Sequence, residues 1–373
     1  MKKVLVISTN PTPPVHAGNQ KCIFEYCNLL KKMNCEVHFL YVKGRQCTPN
    51  ELYTYWGDYL HIYKKKMWLE ILKRILVNIR SKILGYNHID DLYPIGLTKY
   101  VKKLQNKKRF DCIIINYINL SQLFTSKFEA KKILFAHDSM SFKKQRLGVS
   151  NFWFDLTPNQ EAKGLQRCDI ILSIQENETI FFKYLHPKGK ILTVYSCFNA
   201  KEQPIVGNKN ILFLSGKSKL NINGLQYFIE QIFPLVLQKE PEAKLIIGGS
   251  ICDIFKTDNK SIKLIGKVDD IEKFYLLGDI AINPVYQGTG LKIKTFEALS
   301  YGKTTIVHPH SAEGIYDKAN APIIQGCTPI EFANQLLEVL SNIEKRKIYS
   351  KKSIEYIKSL NHFIETQYLK IIS

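Results

Sequence analysis

Residues 283–303 read NPVYQGTGLKIKTFEALSYGK, and they gather the side chains best suited to holding a charged ligand. Gly288, Thr289 and Gly290 make a Gly-x-Gly loop, Leu291 follows, and Lys292 and Lys294 stand where a helix would begin. Glu297 comes one turn later. Backbone N–H groups at the start of a helix attract anions, and a glycine loop lets that backbone approach a ligand closely. Two lysines add charge at the same place, and a carboxylate one turn along suits ribose hydroxyls. Together they fit a nucleotide diphosphate. A glycine loop is also what any strand needs to turn tightly into a helix, and the third glycine of the dinucleotide fingerprint is missing. On this stretch alone both readings stand.

The elements that must position these residues follow from hydrophobic patterning. Residues 280–285 read as a buried strand, 292–301 as an amphipathic helix with Gly302 at its C-cap, and 304–307 as a β-branched strand. The same unit opens the chain: a strand at 3–8, a proline-rich loop from Pro11 to Asn19 that includes Gly18, a helix at 20–32 and a strand at 36–42. Such units build parallel sheets with right-handed crossovers, and ligands sit at the carboxyl ends of their strands. Gly18 and Asn19 fall at one such end. Further strands are expected at 111–117, 132–136, 169–175 and 191–196. The strand at 132–136 ends in His137 and Asp138, where a histidine suits hydrogen bonding to a substrate hydroxyl or acid–base work. Asp138 equally suits a helix cap. Residues 197–209 are polar and read as a linker. A second α/β unit follows, with strands at 210–214, 244–248, 262–265 and 322–325, a helix at 225–237 and a long helical end from Pro329. Gly216 and Lys217 sit after the first of these strands, again an anion-suited place. The fold class expected is α/β, with two Rossmann-like parallel-sheet domains at 1–200 and 201–355, and a helix over 356–373 returning to the first.

The formal net charge is +20, from 53 lysines and arginines against 33 acidic residues. That balance favours anionic partners, although no basic run is interleaved with a nucleic-acid-binding motif, so no nucleic acid is expected. The stretch 64–84, KKKMWLEILKRILVNIRSKIL, has Trp68, Ile71, Leu72, Ile75, Ile79 and Ile83 at helical spacing with basic residues on other faces. It suits either a helix in an anionic membrane interface or one packed on its own sheet. No stretch is long and apolar enough to span a bilayer. Nine scattered cysteines without a Cys-x-x-Cys pair point to free thiols in a reducing, cytoplasmic setting and to no metal site.

These motifs resemble the family-four retaining glycosyltransferases of the GT-B fold, also called glycosyl transferases group 1, which include many bacterial polysaccharide and lipid-linked sugar transferases. The resemblance rests on the Pro11–Gly18 loop, AHD at 136–138, FLSGKSKLNINGLQYFIEQIFP at 213–234, NPVYQGTGLKIKTFEALSYGK at 283–303 and AEGI at 312–315. It implies two domains facing across a cleft, with a nucleotide-diphosphate sugar as co-substrate in the second. A glycan, polysaccharide or lipid-linked acceptor is then expected at the first. Transfer would proceed with retention and without an obligatory metal. It implies that Glu297 holds the ribose, that Gly216 and Lys217 face the diphosphate, and that His137 lies near the reacting sugar. Two positions depart from the pattern. The first motif glutamate falls at Thr289, and the second basic residue falls near Asn223; Lys292 and Lys294 are expected to supply the missing charge. Two other readings use the same fold: a nucleotide-sugar epimerase or hydrolase, and a non-catalytic basic binding protein.

Overall fold

The structure, a computed structural model, describes residues 1–15, 18–44, 48–150, 152–288 and 290–372. It divides into two compact units, one of Met1–Cys197 with Phe363–Ser373 and one of Phe198–His362.

The first unit is a seven-stranded sheet in the order β3-β2-β1-β4-β5-β6-β7. Its strands are β1 (Lys3–Ser8), β2 (Glu36–Lys43), β3 (Leu60–Lys64), β4 (Cys112–Asn116), β5 (Lys131–Phe135), β6 (Ile170–Ser173) and β7 (Lys190–Thr193). Every neighbouring pair is parallel. The runs VLVI and CIII that make β1 and β4 are buried on both faces, as a sheet covered by helices on both sides requires. The helix Gly18–Lys32 buries Ile23, Cys27 and Leu30. Residues after His362 also join this unit: Tyr368 is buried and stacks on Tyr26 with ring centroids 6.2 Å apart.

The second unit is a six-stranded parallel sheet in the order β10-β9-β8-β11-β12-β13. Its strands are β8 (Asn210–Leu214), β9 (Lys244–Gly248), β10 (Ile262–Gly266), β11 (Ile280–Asn283), β12 (Thr304–Val307) and β13 (Ile323–Gln325). In both sheets the chain winds outward in one direction, then returns to the middle and winds the other way. The reversal falls between β1 and β4 in the first unit and between β8 and β11 in the second. That is where a doubly wound sheet opens a crevice for ligands.

Two local expectations are corrected, and two helices are new. The helix expected over 64–84 begins only at Met67, because Lys64 closes β3, an edge strand whose half-exposed sequence LHIYK lacks an apolar run. The helix expected over 225–237 is three consecutive pieces: Lys219–Tyr227, a wide turn at Phe228–Ile232, and Phe233–Lys239. Pro234, which has no N–H to donate, sits in the first turn of the last piece and accounts for the widened turn before it. Helices at Asn50–Trp56 and Leu97–Lys108 fall in stretches where the sequence offered no clear apolar period.

Candidate functional site

In the second unit the residues singled out from sequence gather at the carboxyl ends of β8 and β11. Ile280 pairs with Ile211 and Ala281 with Leu212, so the two strands end side by side. Gly216 and Lys217 follow β8. The Lys217 side chain is exposed, with Nζ 3.4 Å from Asp253 Oδ2, and its backbone N donates to Ser250 Oγ at 3.3 Å. Gly249 makes this crowding possible. Its φ is +97°, and a Cβ there would lie 2.3 Å from the Ser215 carbonyl oxygen.

The loop after β11 carries Gly288 at φ 124° and Gly290 at φ 75°, both in left-handed backbone that favours glycine. Thr289, where the resemblance places a lost glutamate, lies outside the described residues. Leu291 and Lys292 lead into the helix Ile293–Ser300. Lys294 points back at the β8 segment: Nζ donates to Ser215 Oγ at 3.1 Å and to Asn221 Oδ1 at 2.5 Å, and stands 5.2 Å from the centre of the Phe213 ring. Burial of the ammonium, and then the nearby Lys292, lower the Lys294 pKa to about 7. Asn221 also donates to the Gly216 carbonyl at 2.9 Å, so one amide side chain ties the glycine of one loop to the lysine of the other. Glu297 is half-buried on the same helix, with the stacked rings of Tyr275 and Tyr301 within its electrostatic reach. The arrangement presents cations and backbone N–H groups at one end and a carboxylate at the other.

The structure adds residues that sequence reasoning missed. Lys292 Nζ lies 3.2 Å from His310 Nε2, and His310 Nδ1 lies 3.2 Å from Glu313 Oε2. His308 accepts from the His310 backbone N at 3.1 Å. The signal was available: His-x-His directly after a strand, at the carboxyl end of β12.

In the first unit, His137 follows β5 at φ 58°, with the Asp138 N–H donating to the Ala136 carbonyl at 2.7 Å. This tight three-residue turn is a strained conformation for a residue with a Cβ. It buries the imidazole against Tyr117 and Phe135, with ring centroids 4.5 and 4.4 Å away. Burial lowers its pKa to about 3, so the ring is neutral. The Asn116 amide nitrogen donates to the Ile7 carbonyl at 3.0 Å, which turns its oxygen toward His137 Nε2 at 2.8 Å. Nε2 therefore carries the proton and Nδ1 keeps a lone pair. Asn19 donates to the Tyr117 hydroxyl at 2.7 Å, which links the start of the first helix to the ring that stacks on His137. Gly18 begins that helix and is exposed. Asp138 forms an ion pair with the buried Lys143 and a longer one with Arg146 at 3.5 Å. The buried Glu178 has its pKa raised to about 8 by burial and then by Asp138. Among the described residues no group of three or more His, Cys, Asp or Glu is placed to hold a metal ion.

Fold and site together define a chain of two Rossmann-like parallel-sheet units, the second of which gathers cations and glycine loops at the carboxyl ends of β8 and β11. Residues 208–342 match the profile of the glycosyl transferases group 1 family. The M. jannaschii protein described as an uncharacterised glycosyltransferase is 28% identical over 257 residues, 62% of this chain and 65% of its own. A Klebsiella pneumoniae protein of the cps region is 24% identical over 162 residues, covering 40% of this chain and 42% of that one. The match thus spans less than two thirds of either curated relative. Among solved structures, TarM of S. aureus superposes over 100% of this chain and 99% of its own, with a TM-score of 0.72 at 10% identity. Anabaena HepE, solved with UDP and glucose, does so over 100% of both chains, at TM-score 0.65 and 11% identity. The chain has the GT-B fold, and its residues 208–342 match the glycosyl transferases group 1 family model.

Proposed function

We propose that the protein is a glycosyltransferase that takes a sugar from a nucleotide-diphosphate donor held by the second unit. It delivers that sugar, with retention of configuration, to a glycan, polysaccharide or lipid-linked acceptor received by the first. The observation that carries this reading is Lys294, a buried ammonium clamped between Ser215 and Asn221 at the switch point of the sheet, with Lys292 and Glu297 on the same short helix segment. A sheet core gains nothing from a cation there; a departing diphosphate does. UDP is the nucleotide we propose first, since HepE and TarM have both been solved with it.

In the reaction the anomeric C–O bond to the β-phosphate breaks while the acceptor oxygen bonds to the same face of the same carbon. The acceptor proton passes to the leaving phosphate oxygen. Lys292, Lys294, Lys217 and the backbone around Gly216 and Gly290 stabilise the growing negative charge without a metal ion. Glu297 holds the ribose. His137, neutral with a bare Nδ1, orients a sugar hydroxyl, and Asn19 and Asp138 stand on the acceptor side. A cytoplasmic location accords with the eight described cysteines, all of which are free thiols.

A melting experiment tests the reading. UDP at a hundred times its Kd should stabilise the fold by about 2.7 kcal/mol. Glu297→Ala should remove that stabilisation and leave the ligand-free melting temperature unchanged. If no nucleotide diphosphate of any base moves the melting curve, the reading fails. If UDP-sugar is consumed with or without acceptor and only free sugar accumulates, the hydrolase reading replaces it.

A further inference from the structure

The helix Met67–Leu84 is turned inside out. Its polar residues at spacings of three and four face the first unit. Glu70 accepts from the Ile95 N–H at 2.8 Å, and Lys73 donates to the carbonyls of Asp90 and Tyr93 at 3.1 and 2.7 Å. Arg80 pairs with Asp91, and Val77 is the helix's one buried residue. Its apolar residues face away. Trp68 is 65% exposed, Leu76 69% and Ile83 78%, and Ile71, Leu72, Ile75 and Ile79 are exposed between them. An ordinary surface helix does the reverse, burying its apolar stripe and wetting its charges. Eighteen residues at 1.5 Å rise make this an apolar ridge about 27 Å long. A contiguous patch of that size marks a surface built to be covered.

The charges around the ridge say by what. Lys64 and Lys66 are exposed at its N-terminal end, and Arg74 and Lys82 are exposed along its flank. Among the described residues none of these four has a carboxylate partner. Arg74 and Lys82 line a surface pocket of 370 Å³ together with Trp153 and with Lys144, whose charge is paired with Asp155 at 3.5 Å, so Arg74 and Lys82 are its unpaired cations among the described residues. Trp153 is itself exposed, so it extends the apolar surface at the edge of that hollow. No helix among the described residues is long and apolar enough to cross a membrane, so this one would meet a bilayer only by lying along its interface.

We propose that the ridge docks the first unit onto an anionic lipid bilayer. The apolar residues enter the acyl boundary, and lipid phosphates are received by Lys64, Lys66 and the Arg74–Lys82 pocket. The surface stands independently of the transfer reaction and would hold for any activity of the chain.

Vesicle flotation of the full chain decides it. The protein should float with phosphatidylcholine vesicles containing about one third phosphatidylglycerol at low salt, and much less at high salt or with phosphatidylcholine alone. Leu72→Glu with Ile79→Glu should abolish flotation, and Arg74→Glu with Lys82→Glu should weaken it by about tenfold or more. Each variant should keep the wild-type melting temperature and its response to UDP, since the altered side chains point to solvent. Wild-type protein that responds to UDP but does not float with anionic vesicles overturns the proposal. So does light scattering that shows a dimer dispersed by Leu72→Glu with Ile79→Glu, with no flotation of the wild type; the ridge then belongs to a second copy of the chain.

Discussion

Lys294 Nζ lies 2.5 Å from Asn221 Oδ1, so the lysine after β11 is held by the segment after β8, across the point where the sheet reverses. The clamp costs the lysine its solvation, which lowers its pKa to about 7.

Nucleotide binding should therefore take up a proton. Lys294 is charged below pH 7 and increasingly neutral above it, and a bound diphosphate favours the charged form. Affinity for UDP should fall as pH rises from 6 to 8.5, and calorimetry in buffers of different ionisation enthalpy should show net proton uptake. Lys294→Met should weaken UDP by about 10- to 150-fold, the loss of a charge-assisted hydrogen bond. The sign for folding is opposite. A lysine whose pKa is lowered on folding opposes the fold below pH 7, and that opposition fades as pH rises toward 10.5. The Met variant should thus melt at or above the wild-type temperature at pH 6. A UDP affinity indifferent to both pH and the substitution would remove Lys294 from the site.

His137 leads to a different acid response. Its pKa is lowered to about 3, so the unfolded chain binds a proton that the folded chain refuses as pH drops below the ordinary histidine value of 6.5. Stability should be lost over that range, by about 3 kcal/mol at pH 4. His137→Asn should show a shallower loss in urea titrations at pH 7 and pH 4. It should also slow turnover while leaving UDP affinity within about twofold, because the residue sits in the unit without the nucleotide site. An unchanged acid slope in the variant would mean that the imidazole protonates in place.

The Asp138, Lys143 and Glu178 group should titrate the other way. Glu178 keeps its proton to about pH 8 in the folded protein, so stability from this group is full below about pH 4.5, declines as pH rises from there, and levels off above about 8. Glu178→Gln, which mimics the protonated form, should be near neutral around pH 4.5, should melt above the wild type by pH 6, and should flatten the decline. Lys143→Met leaves Asp138 without its buried partner and should cost about 3–5 kcal/mol. Urea denaturation of the two variants at pH 6 and pH 8.5 separates the cases; equal losses for both would show that the two carboxyls do not share a site.

Much of this architecture was legible because parallel strands announce themselves. The apolar, β-branched runs at β1, β4, β11 and β12 are too short for helices and too uniform for half-exposed strands. β3 was not legible, since an edge strand has one open side and tolerates His61 and Lys64. Lys217, Lys292, Lys294 and Glu297 could be grouped as candidates because each lies within a few residues of a glycine loop. Ser215, Asn221 and His310 could not be assigned to the same site, since their closeness to the lysines depends on which strand pairs with which, across gaps of many tens of residues. Periodicity also shows that a helix has two faces without showing which one turns inward. The stretch 64–84 displayed both faces clearly, and its polar stripe is the one that packs.

Residues 363–372 complete the core of the first unit, with Ile364, Tyr368 and Ile371 buried there. This has a consequence during synthesis. Domains commonly fold in the order in which they emerge, the N-terminal one first. Here the first unit emerges with part of its interior still unmade, and the whole of residues 198–362 must be translated before that part arrives. The second unit is contiguous and can close as soon as it is out. The unit begun first is finished last, and a fragment cut after Cys197 should leave Tyr26 facing water where Tyr368 belongs.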